Sequence, residues 1–238
     1  MRRQDTLVAF LNQKSVRSPM NSKLAYLVGL IGGDGCIYVS RYEHSVHIVD
    51  ECLEFHETVI APFFEECFKI RPIVSPMKTH LGRITYRTRL RSREVAEFLV
   101  GLGIPAGAKT FSVRTPKWIL EGDEKILISY VRGWMDAEGC VTRLLLRRKK
   151  RDYIYPKISM QVANAAIRDE ICSILDKFAI RFSKWNSGNM HGFAITGFEN
   201  AKRYMKVVGF NHPNQLTAWG QTWHTMAGTV GCNPERGS

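Results

Sequence analysis

The sequence predicts an α+β protein built from two pseudo-symmetric αββαββα repeats, packed through their first helices and carrying antiparallel sheets. Three observations predict it. LVGLIGGDGC at 27–36 aligns without gaps to VRGWMDAEGC at 131–140, an offset of 104. Two further matches follow in the same order: CFKIR at 67–71 with KFAIR at 177–181, and EVAEFLVGLGI ending at 104 with AKRYMKVVGF ending at 210. Between the matches, apolar spacing alternates between the helical period and the strand period in the same order in both copies.

Each copy opens with a helix, Ser22 to Gly33 or Glu124 to Ala137, where apolar residues recur at three- and four-residue steps; Asp123 is the expected N-cap of the second. Two strands follow (36–42 and 45–50; 140–146 and 153–162), then a helix (52–68; 165–178). Two more strands (70–77 and 83–91; 180–186 and 191–196) and a last helix (93–102; 199–208) complete each copy. Pro62 should kink or shorten the middle helix of the first copy. The offset grows from 104 to 110 between the first two matches, which puts about six extra residues in the basic stretch RRKKR at 147–151, the tip of a longer hairpin. The expected organisation is an N-terminal extension with a short accessory helix (1–18), a first repeat (19–104), a Pro- and Gly-containing linker (105–123), a second repeat (124–215) and a tail (216–238). Trp219 and Trp223, one turn apart, predict a helix packed on a lobe.

The 238 residues carry 34 Lys and Arg against 22 Asp and Glu, a formal charge of +12, which makes a polyanion such as nucleic acid the first candidate partner. The six cysteines never fall in CxxC pairs and no His pair stands near them at finger spacing, so neither structural zinc nor a disulfide framework is indicated. The apolar run Leu7 to Leu11 is too short for a secretory signal or a membrane span, so the expectation is an intracellular protein with no membrane partner.

The repeated motif carries the chemistry. Gly29 and Gly33 are four residues apart, as are Gly133 and Ala137, and small residues at that spacing let two helix backbones approach closely. If the lobes pack through these faces, Asp34 and Glu138 meet near the pseudo-two-fold axis, each at a helix C-terminus. There the macrodipole disfavours a carboxylate by about 0.3–1 kcal/mol, and the two acids also repel each other. Divalent cations are the natural compensation, because carboxylates, main-chain carbonyls and water suit Mg²⁺. Gly35 and Gly139 are expected to supply left-handed caps that turn the chain into the first strand. An acid before glycine can also merely end a helix and face solvent; two matching copies on a basic chain favour the shared site.

LVGLIGGDG and VRGWMDAEG resemble the two motifs of the single-chain LAGLIDADG homing endonucleases, and the αββαββα duplication is that family's plan, over about residues 20–215. The resemblance implies that Asp34 and Glu138 bind catalytic Mg²⁺ or Mn²⁺, helped by the main-chain carbonyls of Gly33 and Ala137, with Glu138 standing where Asp is usual. It implies a lysine after the last helix of a repeat, near the scissile phosphate, which Lys109 matches; the second copy has Gln215 near that position. Water-positioning residues would correspond to Asp50 and Asn164, just beyond the second strand, for which helix N-capping is an equal alternative, and to Gln215.

The strands add a binding signal. Arg83, Thr85, Arg87, Arg89 and Arg91 alternate with Ile84, Tyr86, Thr88 and Leu90, and Tyr153, Tyr155, Lys157, Ser159 and Gln161 alternate with Ile154, Pro156, Ile158, Met160 and Val162. Two half-polar sheets paired across the dyad would form a saddle for double-stranded DNA, its strands in the major groove. The tip residues Arg147, Arg148, Lys149, Lys150 and Arg151 would grip phosphate. Because the halves differ, the target should be asymmetric, and the resemblance implies a long site cut on both strands by a monomer; with no intein splicing residues around the chain, an intron-encoded protein is the expected setting. Binding intron RNA as a maturase is the alternative, and a non-catalytic regulator on the same scaffold would predict a lost acid.

Overall fold

The computed structural model describes residues 20–148 and 151–229. The expected accessory helix in 1–18 and the tip residues Lys149 and Lys150 lie outside the described residues. The first half runs α1 (Ser22–Asp34), β1 (Gly35–Val39), β2 (His44–Asp50), α2, β3 (Ile73–Lys78), β4 (Ile84–Arg91) and α3 (Arg93–Gly101). Helix α2 is three joined segments, Leu53–Phe55, a π turn at His56–Ile60, and Ala61–Phe68. The widened turn immediately precedes Pro62, which has no N–H to give the α-helical ladder. A short helix α4 (Lys117–Leu120) lies in the segment between the halves. The second half runs α5 (Glu124–Glu138), β5 (Gly139–Arg148), β6 (Arg151–Val162), α6 (Ala165–Lys177), β7 (Ser183–Ser187), β8 (Met190–Thr196) and α7 (Phe198–Val207). Helix α8 (Pro213–Thr229) ends the described chain.

Each half forms one four-stranded antiparallel sheet, ordered β1-β2-β4-β3 and β5-β6-β8-β7. Short polar side chains start the helices by accepting from free backbone N–H groups: Asn21 from Leu24 N at 2.9 Å, Ser92 from Val95 N at 3.2 Å, Asp123 from Ile126 N at 2.9 Å. The middle helices of both halves end on a non-glycine residue in the left-handed region, Lys69 (φ 56°) and Ala179 (φ 53°), at equivalent places in the CFKIR and KFAIR match. Gly103 (φ 100°) and Gly209 (φ 65°) repeat the same device after the last helices, where glycine meets the requirement without strain.

The halves join through α1 and α5. Every residue of α1 from Leu24 to Gly32 is buried, as expected of a helix apolar all round. A Cβ on Gly29 would lie 2.2 Å from the Tyr130 carbonyl oxygen, and one on Gly133 would lie 2.1 Å from that of Tyr26. The backbones therefore touch, and only glycine permits it. The expectation of left-handed caps at Gly35 and Gly139 is wrong. Both are extended (φ −96°, ψ 170°; φ −85°, ψ 157°), so the chain passes straight from helix into strand. Glycine is needed there for room: a Cβ would lie 2.5 Å from Ile31 Cα and 2.2 Å from the Met135 carbonyl oxygen.

The hairpin of the second half is the longer one, ten and twelve residues against five and seven. Gly35 pairs with Ile48 and Gly139 with Met160, so the offset between equivalent residues rises from 104 to 112 across it. Asp50 is consequently equivalent to Val162, and Asn164 to Cys52; the expected correspondence of Asp50 with Asn164 is off by two residues.

Candidate active site

Asp34 and Glu138 are the last residues of α1 and α5. The helices cross closely enough that a Cβ on Gly33 would lie 2.4 Å from Ala137 Cβ and 3.6 Å from Glu138 Oε1. The carboxylates are half-buried at a joint where neither helix end has a basic residue in its last turn. Burial, the Glu138 charge and the Asp50 charge push the Asp34 carboxyl up to about 7, against the opposing pull of Lys109 and His212. Burial also raises Glu138, and Lys109 offsets it. Both carboxyls are thus held above the ordinary carboxylate range.

Lys109 reaches the same point from the segment after α3, donating from Nζ to the Gly33 carbonyl at 2.8 Å. Burial lowers its pKa, while Cys36, Asp34 and Glu138 favour its charged form. One cation and two acids thus share a half-buried site. Gln215, equivalent to Lys109 in the second half, does something else: its amide donates to the Gly139 carbonyl at 2.9 Å and accepts from Val141 N at 3.1 Å, fastening α8 to the edge of β5.

Asp50 lies on β2, two residues past the partner of Gly35, and its charge is felt at Asp34. Its Oδ1 accepts from Cys52 N at 2.6 Å. Asn164 is not at this site. It caps α6, accepting from Ala166 N at 3.1 Å, and donates to the Val113 carbonyl at 2.9 Å, which anchors the inter-repeat segment.

Two residues of this neighbourhood were missed from sequence. Asp136, 2% exposed, accepts from Tyr26 Oη at 2.6 Å and from the backbone N–H groups of Asn211 and His212 at 3.1 Å. Its carboxyl is pushed up to about 6 by burial, opposed by those hydrogen bonds. His212 places its ring against Asp50. The available signal was the alignment of its loop, GFNHPNQLT, with the loop that carries Lys109.

Among the described residues no three His, Cys, Asp or Glu side chains are arranged to hold a metal ion. Two carboxylates raised by burial, each following a main-chain carbonyl, are nevertheless oxygen donors of the kind that would suit Mg²⁺.

The sheet faces away from the core carry the predicted binding residues unequally. On the first, Arg91 is exposed, while Arg87 and Arg89 are half-buried with each Nε buried and unpartnered. Glu43 bonds Arg89, accepts from Ser45 Oγ at 2.7 Å and lies 3.7 Å from His47 Nε2; the Ser45 and Arg89 hydrogen bonds hold its carboxyl down at about 2. The predicted alternation fails at the start of β4. Ile84 is 55% exposed and Thr85 9%, because β2 ends at the partner of Tyr86 and leaves no core beneath Ile84. On the second sheet Pro156, Ile158, Met160 and Val162 are buried, with Lys157 and Ser159 half-exposed and Gln161 exposed. Tyr153 and Tyr155 stack at 6.4 Å, and Tyr155 continues edge-on to Phe198 and then Trp223, tying hairpin to α8. Arg147 is exposed, and Arg148 pairs with Arg151 to close the hairpin. No helix among the described residues is long and apolar enough to cross a membrane.

No family model matches the chain. It is 24% identical over 190 residues to an uncharacterised protein of Methanocaldococcus jannaschii, a match covering 79% of this chain and 66%, just under two thirds, of that one. It is 23% identical to the homing endonuclease I-ApeI of Aeropyrum pernix, covering 80% and 82%. Among solved structures, I-DmoI in complex with DNA and Mn superposes with a TM-score of 0.57 at 16% identity, covering 80% of this chain and 98% of that one. The homing endonuclease I-WcaI bound to its DNA recognition sequence gives 0.56 at 15% identity, covering 92% and 94%.

Proposed function

We propose that this chain, which by its fold and paired motifs belongs to the single-chain LAGLIDADG homing endonucleases, is a site-specific double-stranded DNA endonuclease that uses a divalent metal. One observation carries the reading: two acids 104 residues apart end two helices whose backbones touch, so closely placed that one raises the pKa of the other. A fold has little reason to keep two repelling, half-buried carboxylates unless a cation joins them.

Asp34 and Glu138, with the carbonyls of Gly33 and Ala137, would hold Mg²⁺ or Mn²⁺, which when bound activates water and stabilises the leaving oxygen of a phosphodiester. The chain's own groups do the rest. Lys109, half-buried beside both acids, presents its ammonium to the scissile phosphate and neutralises developing charge there. Asp50 orients water on the Asp34 side.

The DNA would lie on the two outward sheet faces. Arg83, Arg87, Arg89 and Arg91 serve the first half; Lys157 and Gln161 serve the second, with Arg147, Arg148, Lys149, Lys150 and Arg151 gripping phosphate at the hairpin tip. Glu43 orders Arg89 for base contact. Tyr153 and Tyr155 belong to the stack that braces the hairpin. Since the two halves already pair with each other, a monomer suffices, and two unlike sheets select an asymmetric target. Our reading is an intracellular, intron-encoded enzyme, and intact acids in both halves favour cleavage over intron-RNA binding.

The test is incubation of a randomised plasmid pool with Mg²⁺. The wild type should cut both strands; Asp34→Asn and Glu138→Gln should each lose at least about a thousandfold in rate while still binding DNA. Full cleavage by the double variant would end the proposal.

A further inference from the structure

The two halves supply unequal help to the acids, and the difference converges on His212. Its ring is buried, 5% exposed, and packs on Phe55 of the first half at 4.4 Å between centroids. Its backbone N–H is held by Asp136 of α5. Asn214 N donates to Nδ1 at 3.1 Å, so Nδ1 carries no proton and the ring is fixed as the Nε2–H tautomer. That N–H points at both carboxylate oxygens of Asp50, 3.3 Å from each, while Cys52 N donates to Oδ1 at 2.6 Å. A residue of the second repeat thus clamps a carboxylate of the first. The residue equivalent to His212 in the first half is Ala106, and the residue equivalent to Asp50 in the second is the buried Val162, so Glu138 has no corresponding clamp.

Resting on the nuclease reading above, we infer that His212 is a positioning residue that fixes Asp50 beside Asp34 and so sets the cleavage rate of one DNA strand and not the other. A carboxylate that can swing loses its aim at a water; two donors converging on it remove that freedom. The separate hold on the His212 backbone, through Asp136 to Tyr26, makes the clamp part of the joint between repeats.

The experiment is single-turnover cleavage, in Mg²⁺, of a strand-labelled duplex carrying the target recovered from the plasmid pool. DNA affinity in Ca²⁺ and thermal melting are measured alongside. His212→Leu should slow one strand about 10- to 100-fold and leave the other within about threefold, so that nicked product accumulates at unchanged affinity. His212→Gln, whose amide can still donate to Asp50, should recover most of that rate. Asp50→Asn, which keeps the side-chain shape, should slow the same strand, and the Asp50→Asn/His212→Leu double variant should be no slower than Asp50→Asn alone. Equal slowing of both strands, no recovery with glutamine, or additive losses would overturn the inference. If His212→Leu does not fold, the strand selectivity of Asp50→Asn decides: without it the clamp is refuted. A wild type that cuts neither strand defeats the nuclease reading itself, whereas a cutting wild type matched by His212→Leu defeats only the clamp.

Discussion

The two halves agree in backbone and disagree in almost everything that touches the acids. Both place a carboxylate at the end of a glycine-packed helix, both end the middle helix on a left-handed non-glycine residue, and both order their four strands alike. Around that frame the first half offers Lys109 where the second has Gln215, and Asp50 where the second has Val162, while the motif helix of the second carries Asp136 at the position of Gly32 in the first. Both halves carry what a shared centre would need, an acid at the helix end and a close helix contact, while the residues around the acids differ.

The acids should show their largest effect on stability when metal is absent. Asp34 has its folded pKa, about 7, raised above the ordinary carboxylate range, so its contribution to stability is present at pH below about 4 and is lost as pH rises through about 7. Metal-free protein should lose on the order of 3 kcal/mol over that interval. Asp34→Asn should remove the part of that fall that Asp34 carries, leaving what the other raised carboxyls, Asp136 and Glu138, contribute, and divalent metal should restore stability at pH 8. Thermal melting across pH checks this; a profile rising with pH contradicts it.

The second comparison is between the equivalent helpers. Lys109→Met should slow cleavage about a hundredfold, as loss of one oriented charge at a reacting phosphate does, whereas Gln215→Ala should leave the rate within about twofold. Gln215 fastens a helix to a strand, so its loss should register in the melting temperature. Rates and melting curves of the pair decide between these roles.

The smallest effect concerns what the halves share. Lys69→Gly and Ala179→Gly remove the cost of a side chain in the left-handed region and should each stabilise by up to about 1 kcal/mol, in equal measure. Unequal effects, read from denaturant titration, would show that the two helix ends are not equivalent.

Much of this was legible in the sequence, for identifiable reasons. The repeat, the element order and the pair of acids follow from periodicity and self-alignment, both properties of a chain read locally. Gly29 and Gly133 announce a close helix contact because no other side chain fits one. The errors share a different cause. Gly35 and Gly139 look like left-handed caps because an acid and a glycine end many helices, but the requirement here comes from Ile31 and Met135 one turn back. Asp50 and Asn164 look equivalent because each stands at the end of the second strand, just before a predicted helix, whereas the hairpin register sets the offset there at 112 and not 114. His212 and Asp136 stayed silent because their partners lie in the other half or in a distant loop, and pairings at that separation leave no periodic trace.

A shared centre requires Asp34 and Glu138 to lie close together, which carboxyl-selective NMR titration of the metal-free protein tests directly. Asp34 should titrate near 7 in the wild type and fall clearly in Glu138→Gln, where the neighbouring charge is gone. An Asp34 that titrates in the ordinary carboxylate range, or one indifferent to that substitution, would contradict a shared centre.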